Sequence, residues 1–202
     1  NNKIIKKSTY TKYWDILSFT DFNDFVEEDL ETIYKKIRDT FIECVTCRLE
    51  SDRPIGFLLS GGLDSSLVVA IASKYMKYYG KKIYTFSIGM PESTDKEFAE
   101  QVSKFCDTIH THIEFTTDDF INAIKDVVWT TETFDITTVR ASTGQYLISK
   151  WISQNTDVKV LFIGDGSDEL CSGYMYFHNT PSPIESHHEN IRLLKDIIYY
   201  DV

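Results

Sequence analysis

Ile55-Gly56-Phe57-Leu58-Leu59-Ser60-Gly61-Gly62-Leu63-Asp64-Ser65-Ser66 is the stretch on which the fold turns. Ile55 to Leu59 form an apolar run of strand length, and two glycines then hinge a hydroxyl-rich loop that opens a helix. A strand feeding such a loop aims backbone N–H groups and hydroxyls at an anion, and the helix N-terminus adds partial positive charge. The Walker spacing Gly-x-x-x-x-Gly-Lys-Ser/Thr is absent and no lysine follows. Gly-Gly turns alone are common, but three serines and an acid around one such pair are not. The anion that suits this loop is a nucleotide phosphate.

Elements alternate on either side of that loop. Upstream, Phe25, Leu30, Ile33, Ile37, Phe41 and Val45 recur at helical spacing, Asp24 with Glu27 forms a capping-box signature, and Pro54 closes the region. Residues 1–22 lack periodicity and read as an arm or linker. Downstream, the pattern predicts strands over 55–59, 82–89, 109–115 and 158–163, and helices over 65–79, 95–106, 118–132, 141–154 and 184–200. Gly80 stands where the first inner helix should stop, and Thr94 or Asp95 where the next should start. Strands alternating with helices of this length imply an α/β fold, a parallel sheet with helices on both faces. Ligands bind such sheets at the carboxyl ends of the strands. The segments 60–66, 89–95 and 164–168, rich in Gly, Ser, Thr and Asp, all fall at or beside such ends.

Bulk properties narrow the function classes. At 202 residues the chain can bury one good core. A formal charge of −10 and a pI near 4.9 argue against a nucleic-acid partner, which would need a basic face. No apolar run reaches the ~18 residues of a membrane span, and the polar, lysine-bearing start does not resemble a secretory signal. Four cysteines, Cys44, Cys47, Cys106 and Cys171, fit a reducing, cytoplasmic compartment better than a disulfide framework. The chain opens on Asn1 rather than methionine, so it reads as a piece of something longer.

Several constellations carry chemistry. Asp64 lies in the phosphate loop, and Asp165, Asp168 and Glu169 lie in Gly164-Asp165-Gly166-Ser167-Asp168-Glu169 after another apolar strand. Triphosphate chemistry needs Mg²⁺ held by one or two carboxylates, and acids from two neighbouring strand ends suit that task. Asp135-Ile136-Thr137-Thr138-Val139-Arg140-Ala141-Ser142-Thr143 brings hydroxyls and one arginine just before a helix. Arg140 suits a carboxylate or phosphate held bidentately, although a solvated helix start explains the composition as well. Cys44 and Cys47 make a Cys-x-x-Cys inside a helical pattern with no second pair, which argues against zinc. His110 and His112 share one side of a strand and read as ordinary strand histidines.

With these segments together, the chain resembles the synthetase domain of glutamine-hydrolysing asparagine synthetases, within the PP-loop ATP pyrophosphatases. The residues that carry the resemblance are Leu58 to Ser66, Asp135 to Ser142, Gly166-Ser167-Asp168-Glu169-Leu170, and Gly173-Tyr174-Met175-Tyr176-Phe177-His178. It extends from about Asp52 to the end. It implies an adenine nucleotide alpha hydrolase-like fold with a five-stranded type of parallel sheet. It also implies that ATP adenylates aspartate to β-aspartyl-AMP with release of PPi, and that ammonia then attacks the activated carbonyl. Carried over, Ser60, Gly61, Gly62, Leu63, Asp64, Ser65 and Ser66 would hold pyrophosphate, and Asp64 with Asp168 would bind Mg²⁺. Leu58 and Ile88 would frame the adenine, with Ile163 and Gly164 beside the nucleotide. Thr138, Arg140 and Glu169 would face aspartate, and Asp165, Arg140 and Glu169 would be catalytic. The implied partners are aspartate, ammonia and a glutaminase domain, with a homodimer as a possible assembly.

Departures from the family pattern set further expectations. The family usually has Ser-Gly-Glu-Gly-Ser-Asp-Glu where this chain has Ile163-Gly164-Asp165-Gly166-Ser167-Asp168-Glu169. Ile163 removes a hydroxyl near the nucleotide, and Asp165 keeps the charge on an arm about one bond shorter. Residues 1–22 are expected to be the arm from a missing glutaminase domain, and 23–202 a synthetase domain truncated at its C-terminal end. Two alternatives stay open: another PP-loop ATP pyrophosphatase, such as a β-lactam synthetase or a tRNA-thiolating, GMP or NAD synthetase, and a degenerate nucleotide-binding module that no longer catalyses.

Overall fold

A computed structural model describes residues 29–196 of the chain. The arm assigned to residues 1–22 and the capping pair Asp24 and Glu27 lie outside the described residues. Helix α1 spans Leu30–Thr46, and Asp29 caps it by accepting from the Thr32 backbone N–H at 3.0 Å. Strand β1 (Ile55–Leu58) leads through the glycine loop into α2 (Leu63–Tyr78). Gly80, at φ +68°, ends that helix as expected. Its N–H donates to Lys77 and that of Lys81 to Met76, the paired bonds of a Schellman stop.

Strand β2 (Tyr84–Gly89) precedes α3 (Asp95–Cys106), and β3 (Ile109–Glu114) precedes α4 (Thr117–Thr131). Thr116 and Asp119 close a capping box at the start of α4. Helix α5 covers Ile136–Asn155, five residues earlier than the predicted start at 141. The Asp135 carboxylate accepts from the Thr138 N–H at 2.7 Å, so the hydroxyl-rich run is the first turn of the helix rather than a loop before it. Strand β4 is only Val160–Phe162, shorter than the predicted 158–163. Helix α6 (Ser167–Cys171), a 3-10 turn at Met175–Asn179 and α7 (Pro183–Asp196) follow. The N-cap of α6 is Gly166, and Ser182 caps α7 through the Glu185 N–H at 3.2 Å.

The four strands are parallel in the order β3-β2-β1-β4. The sheet thus has four strands among the described residues, where a five-stranded type was expected. Register pairs Leu58 with Phe86 and Phe57 with Phe162. The chain runs outward from β1 through β2 to β3, then returns to place β4 on the other side of β1. The switch in direction therefore falls between β1 and β4, where open α/β sheets leave a crevice.

Side chains alternate across the sheet and divide the core in two. Phe57 and Leu59 pack with Val68, Val69 and Ala72 of α2, Ala99 of α3 and Val45 of α1. Phe86 and Ile113 pack on the opposite face with Ile148 and Ile152 of α5, and Leu147 joins Ala123 and Val127 of α4. Buried polar side chains interrupt the apolar packing at the β2–β3 pair. Thr85 and Ser87 are polar and buried, and His110 and His112 satisfy them.

Candidate active site

A cavity of about 290 Å³ opens at the carboxyl ends of β1, β2 and β4. From the residues expected at a nucleotide site, Leu58, Ser60, Asp64 and Ser65 form one wall, Ile88 the β2 side, and Ile163, Gly164 and Asp165 the β4 side. Gly61, Gly62, Leu63 and Ser66 shape the loop without lining the cavity. Sequence reasoning missed Asp95, the first residue of α3, and Gly144, Gln145 and Ile148 of α5, all of which line it. The position of segment 89–95, rich in Gly, Ser, Thr and Asp, at a strand end is the signal in the sequence for Asp95. The α5 residues gave none.

The loop is held by its own hydroxyls. Ser60 Oγ and Ser65 Oγ lie 3.0 Å apart, the Gly62 N–H donates to Ser60 Oγ at 3.3 Å, and Ser65 Oγ donates to the Gly62 carbonyl at 3.3 Å. Gly62 is the N-cap of α2 and offers no side chain to the first turn, so its leading N–H groups keep their capacity for an anion. Gly61 sits at φ +85°, and a Cβ there would lie 2.5 Å from Phe98 Cβ and 2.6 Å from the Ala99 nitrogen. The opposite wall comes as close: a Cβ on Gly164 would lie 2.7 Å from the Ser65 nitrogen. Both glycines are required by contact, one with α3 and one with the start of α2.

On the β4 side, Gln145 Nε2 donates to Asp165 Oδ2 at 2.8 Å. Beyond it, α6 carries Asp168 and Glu169, neither of which lines the cavity. The Asp168 carboxylate lies against Gly173, where any Cβ would collide with it. Glu169 accepts the Tyr174 hydroxyl hydrogen, and its carbonyl accepts from Asn190 Nδ2 at 2.9 Å. That carboxylate, with burial and the nearby Asp168 adding to it, pushes the Tyr174 phenol up to about 12. Thr138 donates to Asp135 from the first turn of α5, and Arg140 is exposed one turn later; both stand outside the cavity lining.

Three carboxylates, Asp64, Asp95 and Asp165, line the cavity. No cluster of three His, Cys, Asp or Glu able to hold a metal by itself occurs among the described residues. The cysteines are free, and Cys44 and Cys47 are exposed at the end of α1. His110 and His112 bind hydroxyls: His110 takes Thr85 at 3.0 Å and Ser87 at 3.1 Å, and His112 takes Ser87 at 2.7 Å. No helix among the described residues is long and apolar enough to cross a membrane.

A family model for asparagine synthase matches residues 36–198, most of the chain. The chain belongs to the asparagine synthase family. Within the family it is 48% identical over 176 residues to the glutamine-hydrolysing asparagine synthetase of Gallus gallus, and 47% identical to that of Mus musculus. Each match covers 86% of this chain and 31% of the relative. A probable asparagine synthetase of Acanthamoeba polyphaga mimivirus is 42% identical over 200 residues, covering 98% of this chain and 36% of that one. The chain thus spans about a third of the length of the curated relatives it matches. Among solved structures it is similar to an NH3-dependent NAD synthetase from Campylobacter jejuni, with a TM-score of 0.45 and 17% identity over 73% of this chain and 61% of that one. The family membership agrees with the resemblance carried by the sequence motifs.

Proposed function

We propose that the full-length protein makes asparagine from aspartate and ATP. A carboxylate oxygen of the aspartate side chain attacks the α-phosphorus, the bond to PPi breaks, and β-aspartyl-AMP forms. The nitrogen of ammonia, taken from glutamine, then attacks the acyl carbon, and AMP leaves with the bond electrons. The observation that supports this reading is one cavity bounded at once by the Ser-Gly-Gly loop, the end of β2 and the Gly164–Asp165 turn. Adenylation develops charge on the departing PPi, and preorganised donors stabilise such charge best when they need not move.

In this scheme the α2 N-terminus and the hydroxyls of Ser60 and Ser65 hold PPi, with Gly61, Gly62, Leu63 and Ser66 shaping the loop around it. Leu58 and Ile88 frame the adenine, Ile163 and Gly164 flank the nucleotide, and Asp165 faces the reacting centre. Magnesium bound with the triphosphate would supply charge neutralisation, and a hard cation of this kind needs only one or two protein carboxylates. Asp64, on the cavity wall, fits that role. Asp168 would join it only if its carboxylate turned away from Gly173. Thr138, Arg140 and Glu169, which lie outside the cavity lining, would face the aspartate side. The same reading places this work in the cytoplasm, the compartment expected from the cysteine usage.

The test is PPi release by the full-length protein supplied with ATP, Mg²⁺ and aspartate, with and without ammonium. We expect PPi that depends on aspartate, asparagine on adding ammonium, and loss of at least about 100-fold in Asp64→Ala. Nucleotide binding without aspartate-dependent PPi would sink the proposal.

A further inference from the structure

We propose that Gln145 is the positioning residue for Asp165: its side-chain amide fixes the direction in which the Asp165 carboxylate faces the cavity. The proposal rests on the reading of that cavity as the site of adenylation. Its ground is a single contact, Gln145 Nε2 to Asp165 Oδ2 at 2.8 Å, joining residues from different elements that both line the cavity.

The two partners differ in how firmly they are held. Asp165 is an exposed residue on the turn between β4 and α6, followed by Gly166 at φ +96°. An acid so placed has several rotamers of similar energy and spreads its charge over all of them. Gln145 is exposed too, but its backbone lies in the middle of α5, whose neighbouring residues Thr143, Leu147 and Ile148 are buried. A donor carried on a packed helix holds direction better than one on a loop. The contact therefore transfers the order of α5 to the turn.

The chemical type of the donor matters as much as its position. An amide N–H orients a carboxylate without neutralising it, whereas Lys or Arg would form an ion pair and draw off the charge. With Oδ2 engaged by Gln145, Oδ1 keeps its lone pairs for a substrate proton or an attacking amine. Errors of ~1 Å in placing such a group cost about 100-fold.

The experiment uses the full-length protein with Q145M, which keeps the length and loses the donor, and Q145E, which puts a second carboxylate at the contact. Aspartate-dependent PPi release by Q145M should show kcat lowered about tenfold, with KM for ATP within about twofold of wild type. In Q145E the facing acids share a proton, which moves the acid limb of the kcat profile to higher pH. A packing role alone would not move that limb. A second readout needs no turnover: the Gln145 side-chain amide resonances in a proton–nitrogen NMR spectrum should shift in D165A. Q145M with wild-type kcat, Q145E with an unmoved profile, or amide resonances indifferent to D165A would each overturn the proposal. If Q145M melts early, the NMR comparison decides. If the wild-type protein releases no PPi with aspartate, asparagine synthesis is what fails, and the spectra still report whether Gln145 holds Asp165.

Discussion

Tyr174 keeps its proton because Glu169 accepts it, and the phenol is pushed up to about 12 as a result. In a spectrophotometric alkaline titration, differenced against Y174F because the chain holds 12 tyrosines, this residue should ionise after an ordinary tyrosine. Replacing Glu169 by Ala should return it toward the ordinary value of about 10. A wild-type Tyr174 that ionises near 10 would show that the contact does not hold in solution. The Gln145–Asp165 pair illustrates why single residues escape sequence reading. Asp165 announced itself by lying in a Gly-rich acidic turn, but a lone glutamine within a helical pattern carries no signal. Only the return of the chain across the sheet brings it to Asp165, 20 residues away.

Between β1 and α2, two adjacent glycines make very different demands. A Cβ on Gly61 meets α3 and needs a left-handed backbone, whereas one on Gly62 would meet only Ser60 Oγ at 3.4 Å. Gly61→Ala should therefore lower stability by more than ~1–2 kcal/mol, while Gly62→Ala, a change at an N-cap with no clash, should cost less, about 0.5–1 kcal/mol. Urea midpoints of the two variants measure the contrast, and equal midpoints would refute it. The sequence marked both glycines alike, because a loop motif does not say what lies beside it. The start of α5 was hidden for another reason. Thr137 and Thr138 have weak helix propensity and suggest a loop, and the cap that wins, Asp135, lacks the acidic N3 residue of a capping box. Where periodicity was strong, as in α2 and α3, the predicted helices stand within two residues of those observed.

Across the whole molecule, alternation of strands and helices made the parallel layout legible, whereas the strand count depended on pairings between distant segments. The buried hydroxyl–imidazole network also joins elements, running from Ser103 of α3 through Thr108 and Thr85 to His110, Ser87 and His112. Burial holds both histidines below the ordinary imidazole value; His112 adds to this for His110 and Lys96 for His112, with Glu100 opposing at both and Glu114 at His112. The unfolded chain therefore binds more protons just below pH ~6.5, so stability is full above that pH and declines as pH falls toward the folded values. Urea midpoints at pH ~7.5 and ~5.5 should show this loss, and H110Q should reduce it; an unchanged slope in H110Q would assign the acid sensitivity elsewhere. The crevice between β1 and β4 has a temporal consequence. Its two walls, at Ser60 and Gly164, are separated by about a hundred residues, so at ~5–20 residues per second a ribosome needs roughly 5–20 s to complete the second after the first. During that interval the emerging chain offers half a cradle, and a ligand that needs both walls can engage only a finished domain, which it then protects from unfolding.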